Sequence, residues 1–335
     1  PKPFDLKEVL SQVSKALTQQ TRKRPEQDPD EPVREENLPL IGRSPAMQEV
    51  YRILARLMNT DLGVMINGES GTGKELVARA LHNFGLRKRG PFVAINMAAI
   101  PRDLIETELF GHEKGAFTGA DKAVAGKFEQ ARGGTLFLDE VGEMVPEIQS
   151  KFLRVLDSGT FYRVGATRKR RADFRLVCAT NRDLKGEVTA GRFRKDLFYR
   201  INGVKVVIPP LRERPEDIPL LVEHFARQLP NQKRFSAQAL AALSAYDWPG
   251  NGRELHFAVE RSGLLAEGEK IELRDLPPEI VEKSGRVPVS VPAPPIEDEP
   301  EEGPDEEIEL PLQQLYVTVT EGSQRVLNLE RPAFQ

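Results

Sequence analysis

The sequence contains a glycine-rich loop of the kind that binds phosphate groups. After a short apolar run, GVMIN at residues 63–67, the chain reads GESGTGKE and continues into a helical pattern. Glycines let backbone N–H groups turn toward phosphate oxygens, and the N-terminus of the following helix favours negative charge. A lysine at the end of such a loop reaches the β- and γ-phosphates. We therefore predict a nucleotide site formed by Gly68, Glu69, Ser70, Gly71, Thr72, Gly73, Lys74 and Glu75.

A second motif, GGTLFLDE at residues 133–140, ends an apolar run with two carboxylates. Glu75 occupies the position after the lysine where serine or threonine commonly binds Mg²⁺, so we predict Asp139 as the magnesium ligand. We predict that Glu140 polarises the attacking water. Because adjacent residues of a strand point to opposite faces, the two carboxylates should have different roles. Taken alone, either motif could also be an ordinary turn.

The elements around these motifs predict an α/β fold in which helices flank a parallel sheet. Apolar runs alternate with helical patterns as far as residue 210. Residues 215–283 contain three helical patterns and no convincing strand, which predicts a small all-α subdomain. The predicted strands are residues 63–67, 92–96, 135–138, 174–179 and 204–208.

Composition and patterning divide the chain into six parts. The charged, proline-containing segment 21–37 is typical of a linker. The segment 284–311 is rich in proline and acidic residues, so we expect it to be disordered. The six parts are an N-terminal segment at 1–20 that contains an amphipathic helix over residues 5–20, the linker at 21–37, the α/β subdomain at 38–214, the helical subdomain at 215–283, the acidic linker at 284–311 and an unassigned tail at 312–335.

The charge is distributed unevenly along the 335 residues. The formal net charge is −3, but residues 285–335 alone carry −8, so the rest of the chain is mildly basic. No apolar run is long enough to span a membrane. The single cysteine, Cys178, excludes a disulfide framework and fits a cytoplasmic protein. The first residues show no signal-peptide pattern and no initiating Met, and they look like the middle of a longer protein.

Residues 108–120, ELFGHEKGAFTGA, resemble the bacterial enhancer-binding proteins. These are AAA+ ATPases that activate sigma-54 RNA polymerase, and their hallmark is the hexapeptide GAFTGA. The resemblance covers residues 38–282 approximately. It implies a P-loop NTPase with a helical lid that uses ATP and Mg²⁺, assembled as a ring, usually a hexamer. It also implies that sigma-54 is contacted by a loop of Gly115, Ala116, Phe117, Thr118, Gly119 and Ala120.

The same resemblance implies roles for residues that follow the predicted strands. Asn96 matches a switch residue that senses nucleotide through the glutamate, here Glu140. Thr180 and Asn181 match a sensor of the γ-phosphate.

Three arginines match family positions that act on nucleotide phosphates. Arg194 and Arg200 match arginine fingers, although arginines of this kind can also simply solvate a helix face. Arg253 matches the second sensor arginine on the lid. Gly252 departs from the family, which usually has an apolar residue there, and this glycine could loosen the positioning of Arg253.

The two ends of the chain suggest how it is connected and controlled. PKPFD followed by an amphipathic helix resembles the end of a response-regulator receiver domain, which implies a sensor kinase as a partner; an unrelated linker helix is the alternative. No helix-turn-helix pattern follows residue 283, and the acidic tail disfavours DNA. We therefore assign no DNA binding to this chain: either it is truncated or altered, or it works without a DNA-binding domain of its own.

Three functions compete for these motifs. The favoured one is an ATPase that remodels closed complexes of sigma-54 RNA polymerase, and the resemblance to a receiver domain implies two-component control. A nucleotide-binding regulatory or scaffold protein is the second, and another AAA+ remodeller is the third. Glu140 and the arginine fingers argue against the second, and GAFTGA argues against the third.

Overall fold

A parallel sheet forms the centre of the larger part of the molecule. The computed structural model describes residues 40–229 and 233–284. Within these residues, five strands form one parallel sheet, in the order Phe92–Asn96, Thr135–Asp139, Arg175–Thr180, Val64–Asn67 and Val204–Val207. Each of the five predicted strands is present, with ends that differ by at most one residue. The strands are β1 Val64–Asn67, β2 Phe92–Asn96, β3 Gly111–His112, β4 Val124–Ala125, β5 Thr135–Asp139, β6 Thr160–Phe161, β7 Arg170–Arg171, β8 Arg175–Thr180, β9 Val204–Val207, β10 Arg234–Phe235 and β11 Lys270–Ile271.

The helices are mostly short, and several follow directly on the strands of the sheet. They are α1 Pro45–Met58, α2 Lys74–Asn83, α3 Arg102–Phe110, α4 Lys127–Gln130, α5 Pro146–Ser158, α6 Leu184–Thr189, α7 Lys195–Ile201, α8 Ile218–Ala226, α9 Ala237–Ala245, α10 Asn251–Leu265 and α11 Pro278–Ser284. Short 3₁₀ turns lie at Met97–Ala99, Val141–Glu143, Leu211–Glu213, Pro215–Asp217 and Leu273–Asp275. In the described part of the chain, no helix is both long enough and apolar enough to cross a membrane.

The sheet is buried on both faces, as alternation along its strands requires. Leu136 and Leu138 of β5 pack with Phe152 of α5 on one face. Phe137, which lies between them, packs with Leu54 of α1 and Val77 of α2 on the other. The sheet is therefore covered by helices on both sides, which confirms the predicted fold class.

The sheet brings the predicted site residues to one edge. Asn67, Asn96, Asp139 and Thr180 are the last residues of β1, β2, β5 and β8. Parallel strands end at the same edge, and the crevice beyond their carboxyl ends is where ligands bind in open α/β sheets. The loop Gly68–Gly73 leaves β1 at this edge.

The helical subdomain has its own core and differs from the expectation in detail. Trp248 is fully buried there, and its Nε1–H donates to the Leu243 carbonyl at 2.8 Å. Besides the three expected helices, the described residues contain α11 and a small parallel sheet of β10 and β11. We predicted no strand there, and that was wrong because a strand of two residues is too short for alternation to appear in the sequence.

Several parts of the predicted organisation lie outside the described residues. These are the segments 1–20, 21–37 and 312–335, and all of 284–311 except its first residue.

A buried carboxylate connects the start of α1 to the start of the helical subdomain. Asp217 is fully buried and accepts hydrogen bonds from the backbone N–H groups of Arg43 and Ser44. Its second oxygen accepts the Ser44 hydroxyl at 2.7 Å. Asp217 thus accepts hydrogen bonds from N–H groups at the start of α1, which lie 173 and 174 positions earlier in the chain. Helix α1 has no acidic residue in its own first turn.

We predict that Asp217→Ala lowers the free energy of unfolding by about 3 kcal/mol, because it leaves buried donors without a partner. Asp183→Ala is the matched control, since Asp183 caps α6 locally at an exposed position; it should cost only about 1 kcal/mol. Denaturant unfolding measures both values. Equal losses in the two variants would contradict this role for Asp217.

Candidate active site

The glycine-rich loop has the backbone conformation that its sequence predicts. Gly71 and Gly73 have φ of 79° and 97°, in the left-handed region that favours glycine. A Cβ at Gly71 would also lie 2.1 Å from the Gly250 carbonyl oxygen of the helical subdomain. The Thr72 hydroxyl donates to the Glu69 carbonyl at 2.8 Å, which holds the turn closed before α2 begins at Lys74.

Lys74 is held over this loop by oxygen atoms. Its side chain is buried, and Nζ donates to the carbonyls of Gly68 and Glu69 at 3.1 and 3.3 Å. Nζ also lies 3.4 Å from Oε1 of Glu140. The cation is therefore placed at the carboxyl edge of the sheet with one carboxylate beside it.

The two adjacent carboxylates occupy different surroundings. Burial, and then the charge of Glu140, raise the pKa of Asp139. The second oxygen of Glu140 accepts the Asn181 backbone N–H at 3.2 Å. Glu140 adopts φ 51° and ψ 49°, so the strand ends at Asp139 and strand alternation does not separate the two side chains. Strand alternation was therefore the wrong reason to expect different roles for the two carboxylates. The left-handed backbone of Glu140 itself turns its side chain toward Lys74.

The other residues predicted at strand ends lie near this pair. Asn96 is opposite Asp139 in the register of β2 and β5, and its Oδ1 accepts the Ala98 N–H at 2.9 Å. In the residues that the structure describes, no hydrogen bond joins Asn96 to Glu140. Thr180 is buried, and its carbonyl accepts the Gly68 N–H at 3.4 Å. The switch and sensor roles of these residues therefore remain predictions.

A cavity of about 770 Å³ opens between this edge and the helical subdomain. Its lining combines Ser70–Glu75, Asn96, Asp139 and Glu140 with an apolar end and with residues of the lid. The apolar end includes Leu40, Ile41, Met47 and Ile208, and the lid contributes Leu221, His224, Phe225, Arg253 and His256. A polar, cationic end joined to an apolar end suits a ligand with phosphates and a flat base.

Arg253 reaches the loop from α10. Its Nη1 donates to the Ser70 hydroxyl at 3.2 Å. The helix begins at Asn251, two residues before this arginine. A Cβ at Gly252 would lie 3.3 Å from the Gly71 carbonyl oxygen, so this glycine lies against the loop. Whether Gly252 loosens Arg253 stays a prediction.

Two of the predicted loop residues pair their carboxylates with arginines. Glu75 pairs with Arg79 one turn along α2, at 2.6 Å. Glu69 pairs with Arg212, whose two Nη atoms lie 2.7 and 2.8 Å from the carboxylate oxygens. These hydrogen bonds lower the pKa of Glu69 to about 2. The sequence did not predict Arg212 as a partner of Glu69, because the two residues lie 143 positions apart and no local pattern connects them.

Arg194 and Arg200 lie away from the cavity, against α5. Arg194 pairs with Asp196 at 2.7 Å and donates to the Ser150 hydroxyl at 3.2 Å. Arg200 donates to the Leu156 carbonyl at 2.6 Å. Both side chains are about half exposed. Within one chain they do not contribute to the cavity.

The hexapeptide forms an exposed loop between β3 and β4. The Gly115 N–H donates to the Ala120 carbonyl at 2.8 Å, which closes the loop at its base. Gly115 and Gly119 have φ of 79° and 98°. Phe117 is 45% exposed, and its ring lies 5.0 Å from the His112 ring. Thr118 next to it is exposed.

Four charged side chains form an ion-pair network next to this loop, and the sequence did not predict it. Arg163 pairs with Glu129 at 2.7 Å and with Glu113 at 3.4 Å. Arg170 pairs with Glu113 at 3.1 Å and with Glu129 at 3.2 Å. Glu113 belongs to the segment GHEKGAFTGA, so the network connects the loop to the β6–β7 hairpin.

The parallel sheet, the phosphate-type loop and the helical lid together define a P-loop NTPase of the AAA+ class. Family models agree: the Sigma-54 interaction domain matches residues 40–207, and the AAA+ ATPase lid domain matches residues 212–290. The chain belongs to the family of sigma-54-dependent activators.

Relatives and solved structures give the same result. The DNA-binding transcriptional regulator NtrC of Rhizobium meliloti (strain 1021) is 56% identical over 269 residues, covering 79% of this chain and 55% of that protein. NtrC of Azospirillum brasilense is 52% identical over 327 residues, covering 96% of this chain and 66% of that protein. The crystal structure of NtrX from Brucella abortus has a TM-score of 0.68 at 39% identity, covering 83% and 63% of the two chains. Another NtrX crystal structure, in complex with ATP, has a TM-score of 0.66 at 38% identity, covering 82% and 61%. The chain thus spans less than two thirds of these relatives.

Proposed function

We propose that this chain is the ATP-hydrolysing part of a cytoplasmic activator that remodels sigma-54 RNA polymerase complexes. The observation that carries the proposal is the arrangement of Lys74 and Glu140 at the carboxyl edge of the sheet, with Asp139 beside them and an exposed GAFTGA loop on the same subdomain. The match to the Sigma-54 interaction domain gives the target.

ATP fits the cavity by the chemistry of its two ends. The triphosphate would lie along residues 70–75, with Lys74 and the start of α2 favouring its negative charge. The adenine would occupy the apolar end beside Leu40, Ile208 and Phe225. ATP in the complex of the related NtrX supports this assignment.

The donor set fits Mg²⁺ held jointly by protein and phosphate. Asp139 offers a carboxylate, and the described residues contain no cluster of three or more His, Cys, Asp or Glu side chains able to hold a metal. Mg²⁺ in nucleotide sites is bound through one or two carboxylates and the phosphates, so Asp139 would hold it. When bound, the ion neutralises charge on the phosphates.

The chain's own residues then position the reaction. Lys74 neutralises charge that spreads over the transferring phosphoryl group. Glu140 orients the attacking water, because its carboxylate is fixed between Lys74 and the Asn181 N–H. Arg253 reaches the phosphates from the lid. Asn96, Thr180 and Asn181 sense the nucleotide at the strand ends.

Arg194 and Arg200 complete the site of a neighbouring subunit. Both are half exposed and lie outside the cavity of their own chain, which suits arginine fingers that act across an interface. We therefore propose a homo-oligomeric ring, a hexamer by family resemblance.

Nucleotide state controls the exposed loop, and the loop contacts sigma-54. An exposed Phe117 between glycines suits a docking segment that changes shape. Phosphorylation by a sensor kinase would regulate the full protein through a receiver domain, following the resemblance of residues 1–20. The relatives are named DNA-binding regulators; our proposal for the described residues includes no DNA contact.

A nucleotide-binding regulator without hydrolysis is the second candidate, and the fixed position of Glu140 disfavours it. A different AAA+ remodeller is disfavoured by the match to the Sigma-54 interaction domain. ATP-dependent open-complex formation with purified sigma-54 polymerase tests the proposal against both.

We expect Glu140→Ala to bind ATP but to lower kcat for hydrolysis by about a hundredfold or more, because the water loses its positioning carboxylate. Equilibrium binding and phosphate release measure the two effects. Glu49→Gln, on the exposed part of α1, is the control and should keep the wild-type rate. Hydrolysis close to wild type in Glu140→Ala would refute the role of Glu140.

We expect Thr118→Ala to hydrolyse ATP at the wild-type rate and to lose open-complex formation, because Thr118 lies in the exposed loop and outside the cavity. Leu86→Ala removes an exposed apolar side chain elsewhere and should retain both activities. Normal open-complex formation by Thr118→Ala would show that the loop is not the sigma-54 contact.

A mixing experiment tests the shared site. Lys74→Ala and Arg194→Ala should each be inactive alone, the first lacking nucleotide binding and the second the finger. Mixed in equal amounts, they should recover about a quarter of the wild-type ATPase rate, because about one interface in four then has both intact residues. No recovery despite mixed assembly would place Arg194 outside the neighbour's site.

A further inference from the structure

Glu69 is part of the phosphate-type loop by sequence, but its side chain belongs to a different network. Within the glycine-rich loop, the cavity lining begins at Ser70 and does not include Glu69. Its carboxylate is bound by both Nη atoms of Arg212 and, through Oε2, by Nδ2 of Asn251 at 3.2 Å. A carboxylate beside a triphosphate would repel it, whereas one paired with a guanidinium is neutralised. The Glu69 carboxylate is therefore engaged by Arg212 and Asn251 and lies outside the lining of the cavity.

Asn251 joins three separate segments. Its Oδ1 accepts the Leu211 N–H at 2.7 Å, in the connection between the two subdomains. Its Nδ2 donates to the Ser70 carbonyl at 3.1 Å as well as to Glu69. The side chain is fully buried, and the backbone is left-handed at φ 54°. A buried amide with all these partners in place fixes the start of α10 against the loop.

The start of α10 carries Arg253. This arginine lies two residues after Asn251, and its Nη1 donates to the Ser70 hydroxyl at 3.2 Å. The Gly71 and Gly250 backbones are also in direct contact, since a Cβ at Gly71 would meet the Gly250 oxygen at 2.1 Å. The position of Arg253 over the loop is thus set by the first turn of α10, which Asn251 anchors.

We propose that Glu69, Arg212 and Asn251 form a clasp that positions Arg253 over the nucleotide phosphates. Glu69 and Arg212 are positioning residues in this arrangement, and they do not contact the nucleotide. The proposal rests on the ATPase function proposed above, and it names the residues that determine where Arg253 lies relative to the nucleotide phosphates. Arg212 supplies the bidentate hydrogen bonds, and Asn251 transmits the position to the helix.

A double-mutant cycle in the full chain tests the clasp. Glu69→Ala and Arg253→Ala should each raise the Kd for ATP by about tenfold, the size expected for one charge-assisted contact. If Glu69 acts through Arg253, the double variant should bind no more weakly than the weaker single variant. Additive losses, about a hundredfold, would overturn the proposal.

Two further variants separate positioning from damage to the fold. Glu69→Gln keeps an acceptor for Asn251 and should lose less affinity than Glu69→Ala. Glu223→Ala breaks an exposed ion pair with Arg227 on α8 and should leave the Kd unchanged. Equal losses in Glu69→Gln and Glu69→Ala would contradict the role of the Asn251 contact.

Hydrogen exchange tests the clasp without nucleotide. The Leu211 N–H is protected by Asn251, so Glu69→Ala should speed its exchange by about tenfold in the ATP-free protein, while amides in the β5 core keep their rates. Unchanged exchange at Leu211 would overturn the clasp. A wild-type chain that does not bind ATP would instead refute the proposed function and leave this measurement interpretable.

Discussion

The site depends on the need to pair a buried lysine. Lys74, the first residue of α2, is buried near the carboxyl edge of the sheet, so its charge requires oxygen partners close by. Two loop carbonyls and the Glu140 carboxylate provide them. Because Glu140 follows β5 and is held by the Asn181 N–H after β8, groups from several strand ends meet around this cation. The same parallel sheet that buries the core therefore also places the charges of the site.

The lid is connected to this point by the loop that Lys74 closes. Glu69 and Ser70 precede the lysine in that loop and are held by Arg212, Asn251 and Arg253. A displacement of the lid would change the position of Arg253 and the shape of the loop together. Under the proposed function, these contiguous hydrogen bonds couple nucleotide binding to lid position, and they are the kind of physical network that coupling requires.

Local sequence patterns predict the sheet and the loop well, and long-range contacts poorly. The apolar run before Gly68 and the helical pattern after Lys74 are adjacent in sequence, so their geometry follows from neighbouring residues. The Glu69–Asn251 contact joins residues 182 positions apart, and no local pattern encodes it. Glu140 shows a second limit, because its left-handed backbone breaks the alternation that the strand predicts. Strands β10 and β11 show a third limit, because two residues are too few for an alternating hydrophobic pattern to appear.

The positions of the arginines indicate how much of the active site one chain contains. Arg253 contacts the loop of its own chain, whereas Arg194 and Arg200 pair with α5 and its neighbours and remain half exposed. Surface ion pairs such as Arg194–Asp196 contribute little to stability, so the cost of releasing Arg194 toward a phosphate is small. An arginine that is weakly held at the surface can exchange its carboxylate partner for a more highly charged phosphate group. In the proposed ring, one chain therefore contains the binding half of the site, and a neighbouring subunit supplies the other half for hydrolysis at full rate.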